Sequence, residues 1–229
     1  KLFRKILILF YGYQRWYNFI IFKKDLSLSK SNEGKNLIYK NIVNHRSKVF
    51  KSPIFDGDIK YFNNIDLRVS KWGTYILSFL DKTYEEIYTN YKSSVKKPIK
   101  QTIAKGVYIK RLHDTGIKQY VDWLKLNQKL TGKNYYVSEE MVKKDLMFMK
   151  KNSYVGEIFV AYLDGKILGS LGIWGFGNFV SENGVNISSY SKKNKIYVQE
   201  LIKDEVVKYC FKNNIKYYDL SGFNPSETA

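Results

Sequence analysis

The stretch FVAYLDGKILGSLGIW, residues 159–174, decides the fold. Residues 157–163 and 167–174 are rich in β-forming side chains and predict two strands. Asp164 and Gly165 lie between them, and this dipeptide favours a two-residue hairpin turn. We therefore expect an antiparallel hairpin at the centre of a sheet.

The segments before this hairpin predict one strand and two helices. VYIKRL, residues 107–112, is expected to be a strand, and Asp114 is expected to cap a helix that runs to about Leu130. Ser138 has the same role for the next helix. Its apolar residues recur at helical spacing and are expected in the core: Val142, Leu146 and Met149.

The segments after the hairpin complete the pattern. Residues 185–190 predict a strand, residues 196–212 a helix, and residues 215–220 a final strand. The expected buried stripe of that helix is Val198, Ile202, Val206 and Tyr209. The order β, α, α, β, β, β, α, β indicates an α+β, or mixed α/β, fold. The chain has neither a GxGxxG nor a Walker sequence, which excludes nucleotide binding by those two devices.

Residues 74–80 predict a further strand, upstream of this series. Thr83 and Glu86 have the spacing of a capping box, and we expect a helix from there to about Val95. Pro98 then either begins a second helix at its first turn or kinks a long one. Gly106 is expected to end the helix in the left-handed conformation.

The first third of the chain has weaker patterns. Residues 6–22 are the most apolar stretch, but they are shorter than the ~20 residues that span a bilayer. Arg15 in their middle also disfavours insertion, so we expect buried core. Residues 36–43 suggest a strand and residues 51–58 a loop. Because the chain starts at Lys1 without a methionine, we expect it to be an excerpt of a longer protein.

The composition restricts the function classes. Lys and Arg total 39 against 21 acidic residues, a formal charge of +18, which attracts nucleic acid, anionic lipid or a phosphorylated substrate. A solvated lysine-rich surface is the alternative explanation. Cys210 is the one cysteine and His45 and His113 are far apart, which excludes a disulfide framework and disfavours zinc. We expect a reducing, cytoplasmic location and no metal.

Three stretches together resemble the FemAB-like aminoacyl (peptidyl) transferases of the GNAT acyltransferase superfamily. They are TYILSFLDKTYEEIYTNYKSSVKKPIKQTIAKGVYIKRL (residues 74–112), the hairpin at residues 159–174, and YCFKNNIKYYDLSG (residues 209–222). The resemblance implies two GNAT-like units, an incomplete one at residues 1–105 and a second at residues 106–229. It also implies transfer of an aminoacyl group from aminoacyl-tRNA to an amine of a cell-wall or surface-glycan precursor, without a cofactor.

One segment departs from the GNAT pattern. GNAT enzymes that use coenzyme A carry a glycine-rich pyrophosphate loop before the helix at residues 196–212, whereas this chain has SKKNKIYVQEL, without glycine. The departure favours aminoacyl-tRNA over coenzyme A as the donor. Two alternatives stay open: an acyl-CoA-dependent N-acyltransferase, and a non-catalytic module that binds RNA or an anionic membrane.

Transfer of an acyl group from a phosphate-bearing donor needs groups that bind a carbonyl and a phosphate. These needs indicate the expected substrate-binding residues. A strand that splays from its neighbour at residues 185–190 exposes main-chain N–H groups to a carbonyl or a phosphate, and this implicates Ser189. Lysines lie just after it and on the segment between Glu86 and Asp114, which has no acidic residue. The lysines that we expect to contact a phosphate-bearing substrate are Lys96, Lys97, Lys100, Lys192, Lys193 and Lys195. In both segments a solvated basic surface is the alternative.

Asp219 is the main catalytic candidate. It lies at the C-terminal end of the last predicted strand, next to Ser221 and Gly222, where a carboxylate can hold an ammonium group and accept its proton. The alternative is an aspartate that caps the following turn. Tyr190 and Glu200 are weaker catalytic candidates, and Tyr218 is a candidate for substrate binding.

Overall fold

A computed structural model describes residues 73–132, 136–151 and 154–223. The predictions for residues 6–22, 36–43 and 51–58 lie outside these residues. The predicted division at residues 105 and 106 stays a prediction, because most of the first unit also lies outside them.

The described residues form six strands and six α-helices, together with a 3₁₀ turn at Asp114–Gly116. In chain order they are β1 Gly73–Ser78, α1 Tyr84–Thr89, α2 Ser93–Ala104, β2 Tyr108–Arg111, α3 Ile117–Leu130, α4 Glu139–Lys151, β3 Tyr154–Leu163, β4 Lys166–Phe176, β5 Phe179–Ile187, α5 Ser189–Lys193, α6 Val198–Lys212 and β6 Tyr217–Phe223.

The strands form one sheet in the order β1-β6-β5-β4-β3-β2. Neighbours are antiparallel except for β5 and β6, which are parallel because α5 and α6 connect them. The predicted hairpin joins β3 to β4, and Asp164 (φ 48) and Gly165 (φ 75) make its turn. Positive φ at both central residues matches the twist of the paired strands.

Each face of the sheet is covered by helices. Phe159 and Ala161 pack in one core cluster with Ile202 of α6, whereas Ile158 and Val160 pack in a second cluster with the side chains of α3 and α4. This alternation follows from the two-residue repeat of a strand. Helix α2 packs against α6, on the side of the first cluster.

The predicted start of the helical segment is confirmed, but its extent was wrong. Thr83 and Glu86 form the capping box. Helix α1 ends at Thr89 rather than near Val95, because the Asn90 side chain donates to the Glu86 carbonyl and Lys92 is extended. Helix α2 then begins at Ser93, so Pro98 lies in its interior and neither begins it nor kinks a longer helix.

Gly106 ends α2 as expected. Its φ is +83, its N–H donates to the Ile103 carbonyl, and the N–H of Val107 donates to the Thr102 carbonyl. These two bonds satisfy carbonyls that the last turn of a helix otherwise leaves without partners.

Two predicted boundaries were wrong for local reasons. Asp114 lies in the 3₁₀ turn, and Gly116 occupies the N-cap position of α3. Strand β5 ends at Ile187, because Ser188 caps α5 by accepting from the N–H of Ser191 at 3.1 Å. Ser189 and Tyr190 are therefore helical and not part of a strand.

Candidate active site

The sheet opens between β5 and β6. Within the described residues these strands pair only over Phe179–Ser181 and Tyr217–Asp219. Beyond that point β5 continues to Ile187 beside β4, and β6 continues to Phe223 beside β1. Main-chain groups of β5 after Ser181 thus lie outside the pairing with β6. A substrate with a carbonyl group can align along this opened edge.

A bulge bends β5 inside the opening. Leu171 pairs with Val185 and Gly172 pairs with Asn183, so Gly184 is the extra residue on β5. Its φ of +78 is a conformation that glycine adopts without strain. Because a bulge changes the direction of local N–H groups, it can aim a donor into the opening.

Asp219 lies at the point where the two strands separate. It is paired with Ser181, the last residue of β5 in register with β6, and only 5% of its surface is exposed. The Thr74 hydroxyl donates to its Oδ1, and the Ser181 hydroxyl donates to its Oδ2 at 3.2 Å. Strands β1 and β5 thus orient this carboxylate from both sides of β6.

A second buried carboxylate, that of Glu182, lies where β5 and β6 separate, on the opposite face of the sheet. The Tyr218 hydroxyl donates to Glu182 Oε1 at 2.6 Å, and Lys203 of α6 lies 2.9 Å from the same oxygen. Burial raises the pKa of Tyr218, and the Glu182 carboxylate raises it further. Tyr218 is fully buried, so in this structure it supports the fork, the point where β5 and β6 separate. It does not present a surface to a substrate.

Tyr190 and Ser189 lie at the other end of β5. Both are exposed. Ser181 and Ile187 are six residues apart along β5, which corresponds to about 20 Å of extended chain. The structure therefore does not bring Tyr190 to the reaction centre that Asp219 would serve, and their catalytic roles stay separate predictions.

The two segments that carry the predicted lysine groups contact each other at the start of α6. Lys105, which follows α2, donates through Nζ to the carbonyls of Asn194 and Lys195, each at 3.3 Å. Thr102 of α2 accepts from the N–H of Tyr197 at 3.2 Å. We call the surface formed by these two segments the basic surface; its lysines are Lys97, Lys100, Lys105, Lys192, Lys193 and Lys195.

Lys96 has an intramolecular role. Its Nζ donates to the Thr89 carbonyl at 2.6 Å and lies 5.9 Å from the centroid of the Tyr88 ring. Lys96 and Lys100 are four residues apart on α2, where like charges repel, and the contact of Lys96 with the end of α1 offsets this repulsion. Lys97 and Lys100 are exposed.

Two further side chains of α6 are Glu200 and Cys210. Glu200 lies in the first turn of α6, where its charge suits the helix dipole. Burial raises the pKa of Cys210 to about 12, so it is not a thiolate nucleophile.

Among the described residues, no group of three or more His, Cys, Asp or Glu side chains is placed to hold a metal ion. None of the described helices has the length and apolar character needed to cross a membrane.

The sequence predictions missed Thr74, Ser181, Glu182 and Lys105. Ser181 and Glu182 were missed because the strand was expected to begin at Val185, which left both residues outside it. Thr74 was placed in a strand, but its contact with Asp219 spans 145 residues of sequence, and no local pattern indicates it.

No protein-family model and no curated protein sequence matches this chain, whereas several solved structures are similar to it. FemX is similar with a TM-score of 0.66 and 11% identity, over 93% of this chain and 73% of FemX. The structure of L-PGS from Bacillus licheniformis has a TM-score of 0.55 and 11% identity, over 83% of this chain and 58% of that one.

A third similar structure is the C-terminal domain of a protein assigned as a lysylphosphatidylglycerol synthetase from Agrobacterium fabrum. It has a TM-score of 0.55 and 8% identity, over 82% of this chain and 59% of that domain. At such identities these likenesses concern the fold. The GNAT-like α+β fold expected from the sequence is thereby confirmed, and the chain shares its fold with FemX.

Proposed function

We propose that the chain is an N-acyltransferase that moves an aminoacyl group from aminoacyl-tRNA to an amine of a cell-wall or surface-glycan precursor. The observation that carries this proposal is the fork between β5 and β6, with Asp219 held at its base by Thr74 and Ser181. The resemblance of the sequence to FemAB-like transferases and the fold shared with FemX support the same class.

The proposed reaction needs a donor carbonyl and an amine in one place. The ester carbonyl of the donor lies along β5, where the bulge at Gly184 supplies main-chain N–H groups for the developing oxyanion. Asp219 holds the incoming ammonium group and accepts a proton from it. The amine nitrogen then forms a bond to the carbonyl carbon, the ester C–O bond breaks, and the ribose oxygen leaves and takes up a proton.

A polynucleotide donor accounts for the basic surface. An anion at this surface would neutralise the exposed side chains of Lys97, Lys100, Lys192 and Lys193. Lys96 and Lys105, by contrast, donate to main-chain carbonyls of the fold. The absence of glycine from residues 191–201 further favours this donor over coenzyme A.

Incubation with charged tRNA and candidate muropeptide precursors, followed by mass spectrometry, tests the proposal. We expect a precursor whose mass increases by one aminoacyl residue. Isothermal titration with coenzyme A is the matched experiment: tight binding would contradict the tRNA donor and favour an acyl-CoA-dependent N-acyltransferase.

The basic surface also fits a second candidate, a non-catalytic module that binds RNA. In that case tRNA would bind but no precursor would gain mass. Asp219→Asn would leave the binding of such a module unchanged.

A further inference from the structure

A cavity of about 330 Å³ lies where β5 ends, against the C-terminal half of α3. Most of its walls are apolar. They come from Trp123, Leu126 and Leu130 of α3 and from Leu163 and Ile167 on either side of the β3–β4 turn.

Polar, charged or amphipathic side chains form the rest of the lining. They are Asn127, Asp164, Lys166, Ser188, Ser189 and Tyr190. Asn127 is 5% exposed, and its amide group has both a donor and an acceptor. The cavity therefore combines two aromatic rings, an aliphatic wall, one amide, two serines and one charged side chain of each sign.

The cavity is remote from the place where the proposed transfer would occur. Gly184 at the bulge and Ser188 at the cavity are four residues apart, about 13 Å of extended chain. No amino-acid side chain attached to a carbonyl at the bulge is long enough to reach the cavity. Its occupant must be another part of a long donor or a different molecule.

We propose that the cavity binds an unpaired base near the 3′ end of the donor RNA. Nucleobases have flat apolar faces that stack on aromatic side chains, and polar edges that pair with amides. Trp123 and Tyr190 supply such rings, and Asn127 supplies the amide. This inference rests on the proposed function, because that function makes the donor a nucleic acid.

The position of the cavity relative to the basic surface supports this occupant. Tyr190 lies on the same five-residue helix, α5, as Lys192 and Lys193. Lys105 contacts the carbonyls of Asn194 and Lys195 immediately after that helix. A single strand could thus place a base in the cavity while the lysines contact its phosphates, the usual combination in single-strand recognition.

Binding of two RNA oligonucleotides by the full chain tests this inference. One ends in CCA and carries a 5′ fluorescent label, and the other is identical but lacks its 3′-terminal base. Fluorescence anisotropy gives both dissociation constants. We expect loss of the base to weaken binding about tenfold, within the range known for stacking on one aromatic side chain.

Two cavity variants and one control sharpen the test. Tyr190→Ala removes an exposed ring and is expected to reduce the difference between the oligonucleotides several-fold. Trp123→Ala is expected to abolish it; because Trp123 also packs against the second core cluster, its fold is checked by circular dichroism. Tyr136→Ala removes an 82% exposed tyrosine that does not line the cavity, and it should keep the difference intact.

Equal binding of the two oligonucleotides by the unmodified chain, or no binding of either, would overturn the inference. So would a difference that both cavity variants retain. The outcome is separable from the proposed function. Transfer without base discrimination contradicts only the cavity, whereas base discrimination without transfer contradicts only the transferase.

Discussion

Asp219 owes its position to residues of three strands. Thr74 of β1 and Ser181 of β5 donate to its two carboxylate oxygens, and this leaves the carboxylate at the base of the fork. A carboxylate held by hydroxyl groups keeps one orientation, which is what the positioning of an amine requires.

We predict that Asp219→Asn lowers kcat for aminoacyl transfer by about 10²- to 10⁴-fold, the usual contribution of an acid–base group. Asparagine keeps the size of the side chain and can still accept one hydroxyl, but it cannot take a proton from the amine. Single-turnover kinetics with charged tRNA measures the effect. His113→Ala, which changes an exposed titratable residue, should retain full activity. Activity of Asp219→Asn within threefold of the unmodified chain would assign the chemistry elsewhere.

Asp145 predicts a pH dependence of stability. Burial raises its pKa from 3.8 to about 6. The folded state then binds the proton more tightly than the unfolded state does, so the contribution of Asp145 is favourable at low pH and is lost as the pH rises through 6. We expect Asp145→Asn to raise the free energy of unfolding at pH 7.5 by about 1 kcal/mol, a value reduced for the partial exposure of the side chain.

Urea denaturation at pH 5 and pH 7.5 measures this effect. The matched control is Asp122→Asn on α3, since Asp122 is exposed and its hydrogen bond with Lys118 lowers its pKa. That substitution should not stabilise the protein at pH 7.5. An Asp145→Asn protein that is no more stable than the unmodified chain would refute the prediction.

At the scale of elements, the end of α2 shows how one residue connects a helix to the sheet. Gly106 takes the left-handed conformation, and β2 begins two residues later. The sequence indicated this end correctly, because glycine readily adopts the left-handed conformation in which many helices end.

We predict that Gly106→Ala lowers the free energy of unfolding by about 1 kcal/mol. The cost comes from the backbone, because an added Cβ would lie 3.7 Å from Leu163 Cδ1, an ordinary contact. Gly106→Asn is the control, since asparagine adopts the left-handed conformation more readily than alanine does. Denaturant titration of both variants gives the comparison, and equal stabilities would show that φ at Gly106 is not the cause.

At the scale of the whole molecule, α2 and the α5–α6 connection form one basic surface. They are some 90 residues apart in sequence, and Lys105 joins them. Because α2 packs on α6, lysines that the sequence placed in two groups can contact one polyanion.

We predict that tRNA binding depends on both lysine groups. Each lysine that contacts a phosphate contributes about 0.7–0.9 to the slope of log K against log salt concentration. Lys97→Gln with Lys100→Gln, and separately Lys192→Gln with Lys193→Gln, should each reduce that slope by more than one unit. Filter binding over a range of salt concentrations provides the slopes.

Lys143→Gln with Lys144→Gln on α4 removes the same net charge from a helix that covers the other face of the sheet. It should leave the slope nearly unchanged. If all three double variants reduce the slope equally, the total charge attracts the tRNA and the basic surface has no special role.

Local features of the sequence predicted much of the fold. The β3–β4 hairpin, the capping box at Thr83 and the end of α2 at Gly106 were correct. Three of the four residues expected to be buried on α6 are buried, and the fourth, Tyr209, is partly buried. Each depends on residues that lie within a few positions of one another, so propensity and spacing are sufficient to indicate it. Where local patterns compete, as at Ser188 between strand and helix cap, the boundary was missed.

The sequence by itself determined most of the strands and helices of the described residues, their α+β class and the strongly basic charge of the chain. Only the tertiary structure decided that the sheet opens after Ser181, that Thr74 and Ser181 hold Asp219, and that Lys105 joins the lysine groups. Strand pairing and side-chain contacts between distant segments depend on how whole elements pack. No local propensity contains that information.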